Sequence, residues 1–493
     1  MNILLLSPKY PDTFWSLKHS LSFIGSKATF PPLGLLTIAA MLPSEWDKKL
    51  IDMNITKLTD EDILWADAIY IGGMFVQKES ALSVVKICKD LGKKIVLGGP
   101  LSMSCQAEFD HVDHLILGEA ELTLPVFLKD LAEGKAQHVY SSSEYPDITK
   151  NPPPFPLWSL IRLKDYASMS VQYVRGCPFD CEFCDIVVFN GRVPRAKTPE
   201  RMIGELEDLY NAGWRGRVFI VDDNFIGHKP NAIKMLSVLV EWQKKMRYPF
   251  AFACQASIDL ADSAELMQKM KEANFYQVFV GIETPSLESL GECGKKQNIK
   301  VDLRKSINTL NNNGLQVMAG FIVGFDSDPK DIFDMQIDFI QKSGIVAAMV
   351  ATLGAPPGTR LWHRLKNENR LLEDYSGDNI IDGKTNIVPL IGIDNLSAGY
   401  KKILLEIYSK KSYYKRISTF LKYYKPTVVN RIGRRDIKTL LKTFWRIGLL
   451  PSGERRLFWK IMLKTLFTNK KALPEVIAYT IYGRHFQAIV KKM

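Results

Sequence analysis

Histidine and cysteine are scarce in this chain, with seven of each among 493 residues. The cysteines are Cys88, Cys105, Cys177, Cys181, Cys184, Cys254 and Cys293. An odd count, thin outside one cluster, excludes a disulfide framework and points to a reducing, cytoplasmic setting. Long hydrophobic runs are also missing. No stretch approaches the roughly 18 uninterrupted apolar residues of a spanning helix. The opening "MNILLLSPKYPD" has too short an apolar run, with no basic segment before it, for a signal peptide. Sequence repeats and low-complexity segments are absent. A hydrophobic content of 46% with mixed charge fits a folded protein rather than a disordered one. Acidic residues run short at one end. From Lys401 onward Glu406, Asp436, Glu454 and Glu475 face 23 Lys and Arg, a net +19. Since the whole chain carries +12, the first 400 residues hold about −7. The basic character belongs to the tail and suits a phosphate-bearing partner: anionic lipid, nucleic acid or an acidic protein.

A chain of 493 residues suggests about three domains. Residues 1–144 alternate short apolar runs with helical patterns. Strands are expected at Ile3–Ser7, Lys49–Asp52, Ala68–Gly73, Lys94–Gly99 and His114–Gly118, and helices at Leu33–Leu42 and Lys78–Gly92. This alternation predicts an α/β fold with a doubly wound, Rossmann-like parallel sheet. Gly72 and Gly73, Gly98 and Gly99, and Gly118 recur at successive strand ends. Such sheets bind ligands there, and a bare backbone permits close approach. Recurrence favours a large ligand, with tight turns as the plainer account. The proline-rich "YPDITKNPPPFPLW" (Tyr145–Trp158) opens a linker over 145–167. Residues 168–389 contain six apolar strands: Val171–Arg175, Arg217–Asp223, Phe250–Ala256, Gln277–Glu283, Gln316–Phe325 and Ala347–Leu353. Amphipathic stretches such as Pro199–Gly213 and Ser263–Phe275 separate them. Six β/α units predict a partial (β/α)6 barrel with its chemistry at the carboxyl ends of the strands. Residues 390–493 form a helical, basic and aromatic third part, as in "SYYKRISTFLKYYK" (Ser412–Lys425) and "RRLFWKIMLKTLF" (Arg455–Phe467).

Cys177-x3-Cys181-x2-Cys184 follows the first barrel strand, with Phe183 just before the last cysteine. A zinc site, like most iron–sulfur sites, wants four protein ligands. The nearest downstream candidates, His228 and Cys254, lie in or beside later strand units. Three thiolates on a [4Fe–4S] cluster leave one iron open to a small molecule, so the missing ligand reads as a substrate or cofactor. This CxxxCxxC, with an aromatic residue before its third cysteine, resembles the signature of the radical S-adenosylmethionine superfamily. The resemblance implies that the open iron takes the amino and carboxylate groups of S-adenosylmethionine. One electron from the cluster then releases a 5′-deoxyadenosyl radical.

A doubly wound domain before a radical domain is similar to the cobalamin-binding subgroup. "FPPLGLLTIAAML", "LGGPLSM" and "LGEAELTLPVFLKDLAEG" resemble its first domain. "CEFCDIVVFNGRVPRAKTPE", "GRVFIVDDNFIG", "VFVGIETPSLESL" and "GFIVGFDSD" resemble the branch that contains the hopanoid C-2 methylase. "SGERRLFWKIMLK" and "YGRHFQAIVKKM" resemble the C-terminal domain of that branch. One departure matters. Many cobalamin proteins carry an Asp-x-His-x-x-Gly loop whose histidine ligates cobalt, and the corresponding "DMNITKL" (Asp52–Leu58) has no histidine. The resemblance therefore implies cobalamin bound base-off without a protein histidine, with loss of the cofactor as the alternative.

Asp222, Asp223 and Asn224 end the second barrel strand. They are candidates for the methionine ammonium or ribose of S-adenosylmethionine, with a helix cap or turn as the alternative. Ser257 and Glu283, at the ends of the third and fourth strands, are candidates for its carboxylate and ribose hydroxyls. Ser257 has a cap alternative, whereas Glu283 follows the apolar "VFVGI". Gly320, Gly324 and Asp326 surround the end of the fifth strand, where the adenine is expected, although a tight turn explains the glycines equally well. Cys254 and the tail's Tyr and Trp are expected in the core.

The resulting expectation is a cobalamin-dependent radical S-adenosylmethionine C-methyltransferase that methylates an unactivated carbon from methylcobalamin. The substrate is a membrane lipid such as a polycyclic terpenoid, or a protein or peptide residue. Radical ring closure or carbon–carbon coupling without methyl transfer remains an alternative. Nucleic-acid modification is another, unsupported by any RNA-binding module. The expected partners are an electron donor of flavodoxin or ferredoxin type and, through the tail, a membrane touched peripherally by a cytoplasmic enzyme.

Overall fold

The computed structural model describes residues 1–372, 383–427, 433–451 and 453–493. Strands β1 (Asn2–Ser7), β2 (Asp47–Asp52), β3 (Ala68–Gly72), β4 (Lys94–Gly98), β5 (His114–Ile116) and β6 (Val139–Tyr140) form one sheet. It is parallel throughout, in the order β2-β1-β3-β4-β5-β6. Leu4 and Leu6 pack with Val84 and Val85 of the helix Lys78–Asp90 on one face. Ile3 and Leu5 pack with Leu35 and Ala39 of the helix Leu33–Met41 on the other. Burial on both faces is why β1 reads as a continuous apolar run rather than an alternating one. The two-residue β6 is too short to carry a period and was not expected.

The second sheet contains β7 (Met169–Val171), β10 (Gly216–Ile220), β11 (Phe250–Gln255), β12 (Phe275–Glu283), β13 (Gln316–Val323) and β14 (Ala348–Thr352). It too is parallel, and its spatial order is its chain order. Among the described residues no pairing joins β14 back to β7, so the barrel is partial. The expected single strand Val171–Arg175 is corrected. The chain leaves the sheet after Val171, because the Tyr173 N–H donates to the Asp222 carboxylate (2.7 Å) instead of to a neighbouring strand. Val174–Arg175 (β8) then pairs antiparallel with Arg195–Ala196 (β9), and this hairpin carries the cysteine loop. Cys254 is fully buried in β11, as its alternation required.

Five longer helices follow: Ile393–Ile407, Lys410–Tyr423, Arg434–Thr443 with a π-helical continuation Phe444–Leu449, Arg455–Thr468 and Leu473–Val490. They share a core with the barrel. Arg416 is buried and donates to Val346 O (3.1 Å) and Gln341 Oε1 (3.0 Å). Tyr400, Tyr408, Tyr413, Tyr414, Tyr424 and Tyr479 are core residues as expected, but Trp445 is 59% exposed.

Residues 8–32 bring the three parts together, which the sequence did not reveal. They leave the first sheet after β1. Phe14 is buried 5.5 Å from the Tyr408 ring and 5.7 Å from Phe486. Trp15 lies 4.8 Å from Phe279 and Phe30 lies 5.3 Å from Phe219. Phe219 and Phe279 alternate along β10 and β12 with the buried Val218, Ile220, Val278 and Val280, so they point to the opposite face of the second sheet. No described helix is long and apolar enough to cross a membrane.

Candidate active site

The cysteine loop is anchored at both ends. At Gly176, φ is +89°, and a Cβ there would stand 2.9 to 3.0 Å from the carbonyls of Val193, Asn190 and Gly191, so only glycine fits. The Asp223 carboxylate accepts the Gly176 N–H (2.7 Å) and the Asn190 side-chain amide (2.9 Å), tying the loop's entry to its far side. Asp222 holds the turn before the loop through Tyr173, and burial pushes its pKa up to about 7. Asn224 and Ser257 bond each other (3.2 and 3.3 Å) beside the cluster motif, with the Asn224 amide 4.0 Å from Cys177 Sγ. The structure thus gives Asp222 and Asp223 a loop-holding task and leaves Asn224 and Ser257 next to the cysteines.

The other side of the loop is tied down by charge. Glu182, between the second and third cysteines, accepts from Arg364 at 2.8 and 3.2 Å, and its N–H donates to Cys293 O (2.9 Å). Arg364 also holds Asp326 (2.9 Å) and Glu292 (3.3 Å). Arg370 holds Asp326 as well, at 2.6 Å. Asp326, expected beside an adenine, is therefore engaged by two arginines. Phe183 packs 6.2 Å from Phe325. Gly324 has φ +106° and donates its N–H to Asp328 (2.8 Å), and the Leu396 side chain would lie 3.1 Å from a Cβ there. At Gly320 the Phe279 ring would be 3.3 Å from a Cβ.

Cys177, Cys181 and Cys184 are free and half-buried. Burial pushes all three thiols up, and neighbouring thiols add to the effect at Cys181 and Cys184. A cationic metal centre is what would hold such thiols as thiolates. Among the described residues no three His, Cys, Asp or Glu side chains gather tightly enough to hold a single metal ion. Three thiols on one anchored loop suit a larger cluster with one iron left for another molecule. Glu283 ends β12 at a bulge, with φ +63°, and pairs with Lys295. That pair lies over Gly281, where a Cβ would strike both side chains. A non-glycine residue in this backbone region is strained and persists only when its surroundings impose it.

The carboxyl edge of the first sheet faces this hairpin. Arg175 of β8 binds Glu121 in bidentate fashion (2.8 and 3.1 Å) and also binds Glu119, which pairs in turn with Arg195 of β9. Both glutamates follow Gly118 in the chain. All four side chains are at most 15% exposed, which makes the contact a buried ionic clamp rather than a surface bridge. The edge glycines divide into two groups. At Gly72 and Gly73 a Cβ would meet Leu35 (2.9 Å) and Gln77 (3.2 Å), so internal packing accounts for them. At Gly98, Gly99 and Gly118 nothing lies nearer than 3.5, 3.5 and 3.8 Å, and Gly99 and Gly118 need their positive φ. These three leave bare backbone suited to a large cofactor. Asn54 stands two residues after Asp52, where the cobalt-binding loop has its histidine. Its amide donates to Asp52 (2.7 Å) and its oxygen accepts from Tyr10 N–H (2.8 Å), so the side chain is already engaged.

The sequence pattern does not single out Arg175, Arg195, Glu119, Glu121, Lys295, Trp15 or Phe30. Arg175 directly precedes Gly-Cys, and Glu119 and Glu121 lie one and three residues after the strand-end Gly118. Those local signals are present, but the pairing of residues more than fifty positions apart is not.

Comparisons with known proteins agree with this geometry. The radical SAM superfamily model matches residues 171–340, and a domain of unknown function (DUF4070) matches 359–493. An uncharacterized methyltransferase of Synechocystis sp. is 40% identical over 492 residues, covering 99% of this chain and 91% of that protein. The hopanoid C-2 methylase of Rhodopseudomonas palustris is 34% identical over 479 residues, covering 94% and 89%. The cobalamin-dependent S-adenosylmethionine radical enzyme OxsB, solved with aqua-cobalamin and S-adenosylmethionine, has the same fold. It aligns at TM-score 0.64 and 16% identity over 100% of this chain and 80% of its own. The chain belongs to the radical SAM methyltransferase family that includes the hopanoid C-2 methylase.

Proposed function

We propose that the chain methylates an unactivated carbon of an apolar substrate, a membrane lipid of the polycyclic terpenoid kind. The observation that carries this reading is the meeting of two edges. Arg175 and Arg195 bind Glu119 and Glu121, and so hold the open glycines of the first sheet opposite the cysteine loop. In this reading Cys177, Cys181 and Cys184 hold a [4Fe–4S] cluster. Asn224, Ser257, Glu283 and Gly324 line the place for S-adenosylmethionine, while Asp222 and Asp223 fix the loop. Gly98, Gly99 and Gly118, with Gly72 and Gly73 behind them, face cobalamin, and no protein histidine reaches cobalt from the Asp52–Leu58 loop. When bound, the cluster with S-adenosylmethionine supplies a 5′-deoxyadenosyl radical and cobalamin supplies a methyl group, chemistry that no side chain can provide. The chain's own residues position the reactants and exclude water: the clamp closes the two edges, and residues 8–32 cover the barrel's inner face.

Trp15 and Phe30 bear on the substrate class. They are 46% and 41% exposed although each packs at a tilt beside a barrel phenylalanine, so their exposed parts wall the space above the second sheet. Such a wall suits an apolar polycyclic body better than a peptide. The similarity to a hopanoid methylase supports the same choice. A protein or peptide residue is the second reading. The domains follow as 1–144 for cobalamin, 145–167 as connector, 168–389 for radical chemistry and 390–493 as the third part, with residues 8–32 serving all of them. A flavodoxin- or ferredoxin-type protein supplies the electron. The test is mass spectrometry of lipid extracts and of proteolysed protein from cells with and without the gene. A lipid heavier by one methyl group only in expressing cells is expected. Methylation confined to peptides, or ring closure with no methyl gain, overturns the lipid reading.

A further inference from the structure

We infer that the helices Arg434–Thr443 and Arg455–Thr468 present a face that inserts into the surface of a lipid bilayer bearing anionic headgroups. The inference stands apart from the choice of substrate, because it rests on the tail alone.

Ile437, Leu441, Trp445 and Leu449 recur every four residues along Arg434–Thr443 and its π-helical continuation, and are 50, 63, 59 and 56% exposed. Spacing of this kind places them in one stripe. On the second helix Trp459, Leu463, Leu466 and Phe467 make another stripe, 37, 50, 51 and 83% exposed. Trp459 joins the two: its indole N–H donates to Gly448 O (2.9 Å), and its ring lies 5.4 Å from Phe444. The buried sides of these helices are satisfied separately, by Ile447, Phe458, Ile461 and Met462 in the common core. The exposed stripes are therefore surplus to folding. A contiguous apolar surface of this size on a soluble domain marks an interaction site.

Charge decides the occupant. Lys438, Lys442 and Arg446 run beside the first stripe, each one position on, although Lys442 and Arg446 also reach Ser22 (3.3 and 3.0 Å). Arg456 and Lys460 flank the second stripe, and Lys470 and Lys471 follow it. The acidic residues in or beside these helices are Asp436, which caps Gly433 N–H (2.8 Å), and the buried Glu454. An apolar face whose rim is mostly cationic, with Asp436 at one end its single exposed acid on these helices, repels a second copy of itself and complements anionic headgroups. Tryptophan suits the water–lipid boundary, and Lys and Arg stems cover apolar surface while their charges reach phosphate. With no described helix able to span a bilayer, this is a helix pair lying in the interface.

The test uses the full chain, sedimented with vesicles of phosphatidylcholine alone or mixed with phosphatidylglycerol. Preferential binding to the anionic vesicles is expected, with a blue shift of tryptophan emission that is smaller in W445F. A W445S/F467S variant should partition at least roughly tenfold less at both low and high salt, because it loses apolar insertion. A K438E/K460E variant should lose a comparable factor at low salt only, since salt screens the headgroup attraction. Both pairs are exposed, and circular dichroism checks that each variant is folded. Absence of vesicle binding, or binding unchanged in W445S/F467S, overturns the inference. So does a wild-type dimer in sedimentation equilibrium that W445S/F467S converts to monomer, which would assign the face to a second copy.

Discussion

The cysteine loop and the glycine edge face each other, yet they are held by different means. The loop is fixed by side chains: Asp223 on its entry, Asp222 on the turn before it, Glu182 and Arg364 on its far side, and Phe183 on Phe325. The glycine edge is fixed by backbone and by what is missing from it. Its strands end in parallel register, and at three of its five glycines a Cβ would meet its nearest neighbours only at 3.5 to 3.8 Å, without a clash. A site for a small cluster needs directed ligands, and these leave a motif. A site for a broad cofactor needs room, and room leaves almost no sequence signal.

Removing the thiols should break the comparison most completely. A C177A/C181A/C184A variant should reconstitute with essentially no iron, against about four iron atoms per wild-type chain, and should not cleave S-adenosylmethionine. If the first sheet holds cobalamin as proposed, its corrinoid binding should survive, as absorption spectra of the purified protein would show. Loss of both together would mean that the two sites are not separable.

Next in size is the clamp between them. Arg175→Ala leaves Glu119 and Glu121 buried with one partner fewer, and breaking a buried pair costs about 3–5 kcal/mol. Chemical denaturation should show that loss. The first sheet has its own two-sided core, so the transition should split as the halves uncouple. A single unchanged transition would place the coupling in residues 8–32 instead.

Asp222 gives a smaller effect with a definite sign. Its pKa is raised from 3.8 to about 7 in the folded protein, so the folded state binds the proton more tightly than the unfolded chain does. Its favourable contribution is complete below pH 4 and is lost as pH rises towards 7, by up to about 4 kcal/mol for a shift of three units. Asp222→Asn keeps an oxygen for the Tyr173 N–H and removes the titration. The variant's stability should therefore fall less between pH 4 and 8 than the wild type's, as read from denaturation midpoints across that range. Equal slopes would mean that the carboxylate titrates near its ordinary value.

The smallest change sharpens the other half of the comparison. Gly98→Ala meets no atom nearer than 3.5 Å, so stability should move by less than about 1 kcal/mol. If Gly98 faces cobalamin, corrinoid affinity should fall about tenfold, or 1.4 kcal/mol. Unchanged affinity would return Gly98 to the status of a turn residue.

Much of the fold and part of the site are legible in the order of the amino acids. The strands of both sheets are readable because parallel strands buried on two faces are short, continuous and apolar. The Cys177-x3-Cys181-x2-Cys184 motif is readable because all three cysteines lie on one short loop. The first barrel strand reads too long because nothing near Val171–Arg175 marks a break, and only the Asp222 carboxylate, 49 residues beyond Tyr173, pulls Tyr173 out of the sheet. Asp326 suggests a ligand contact for a similar reason: its position marks a polar strand end, but its partners Arg364 and Arg370 lie far along the chain.

The sequence by itself determined the α/β strand pattern with its helical basic tail, the Cys-x3-Cys-x2-Cys motif and the absence of histidine from Asp52–Leu58, because each is written in neighbouring residues. Tertiary structure alone decided that residues 8–32 leave their own sheet for the barrel and tail, and that Glu119 and Glu121 meet Arg175 and Arg195. It also decided which tail aromatics are buried and which are bare. The physical reason is range. Periodicity and ligand spacing act within a few residues, whereas ion pairs and packing join whatever the fold brings within a few ångströms, regardless of distance along the chain.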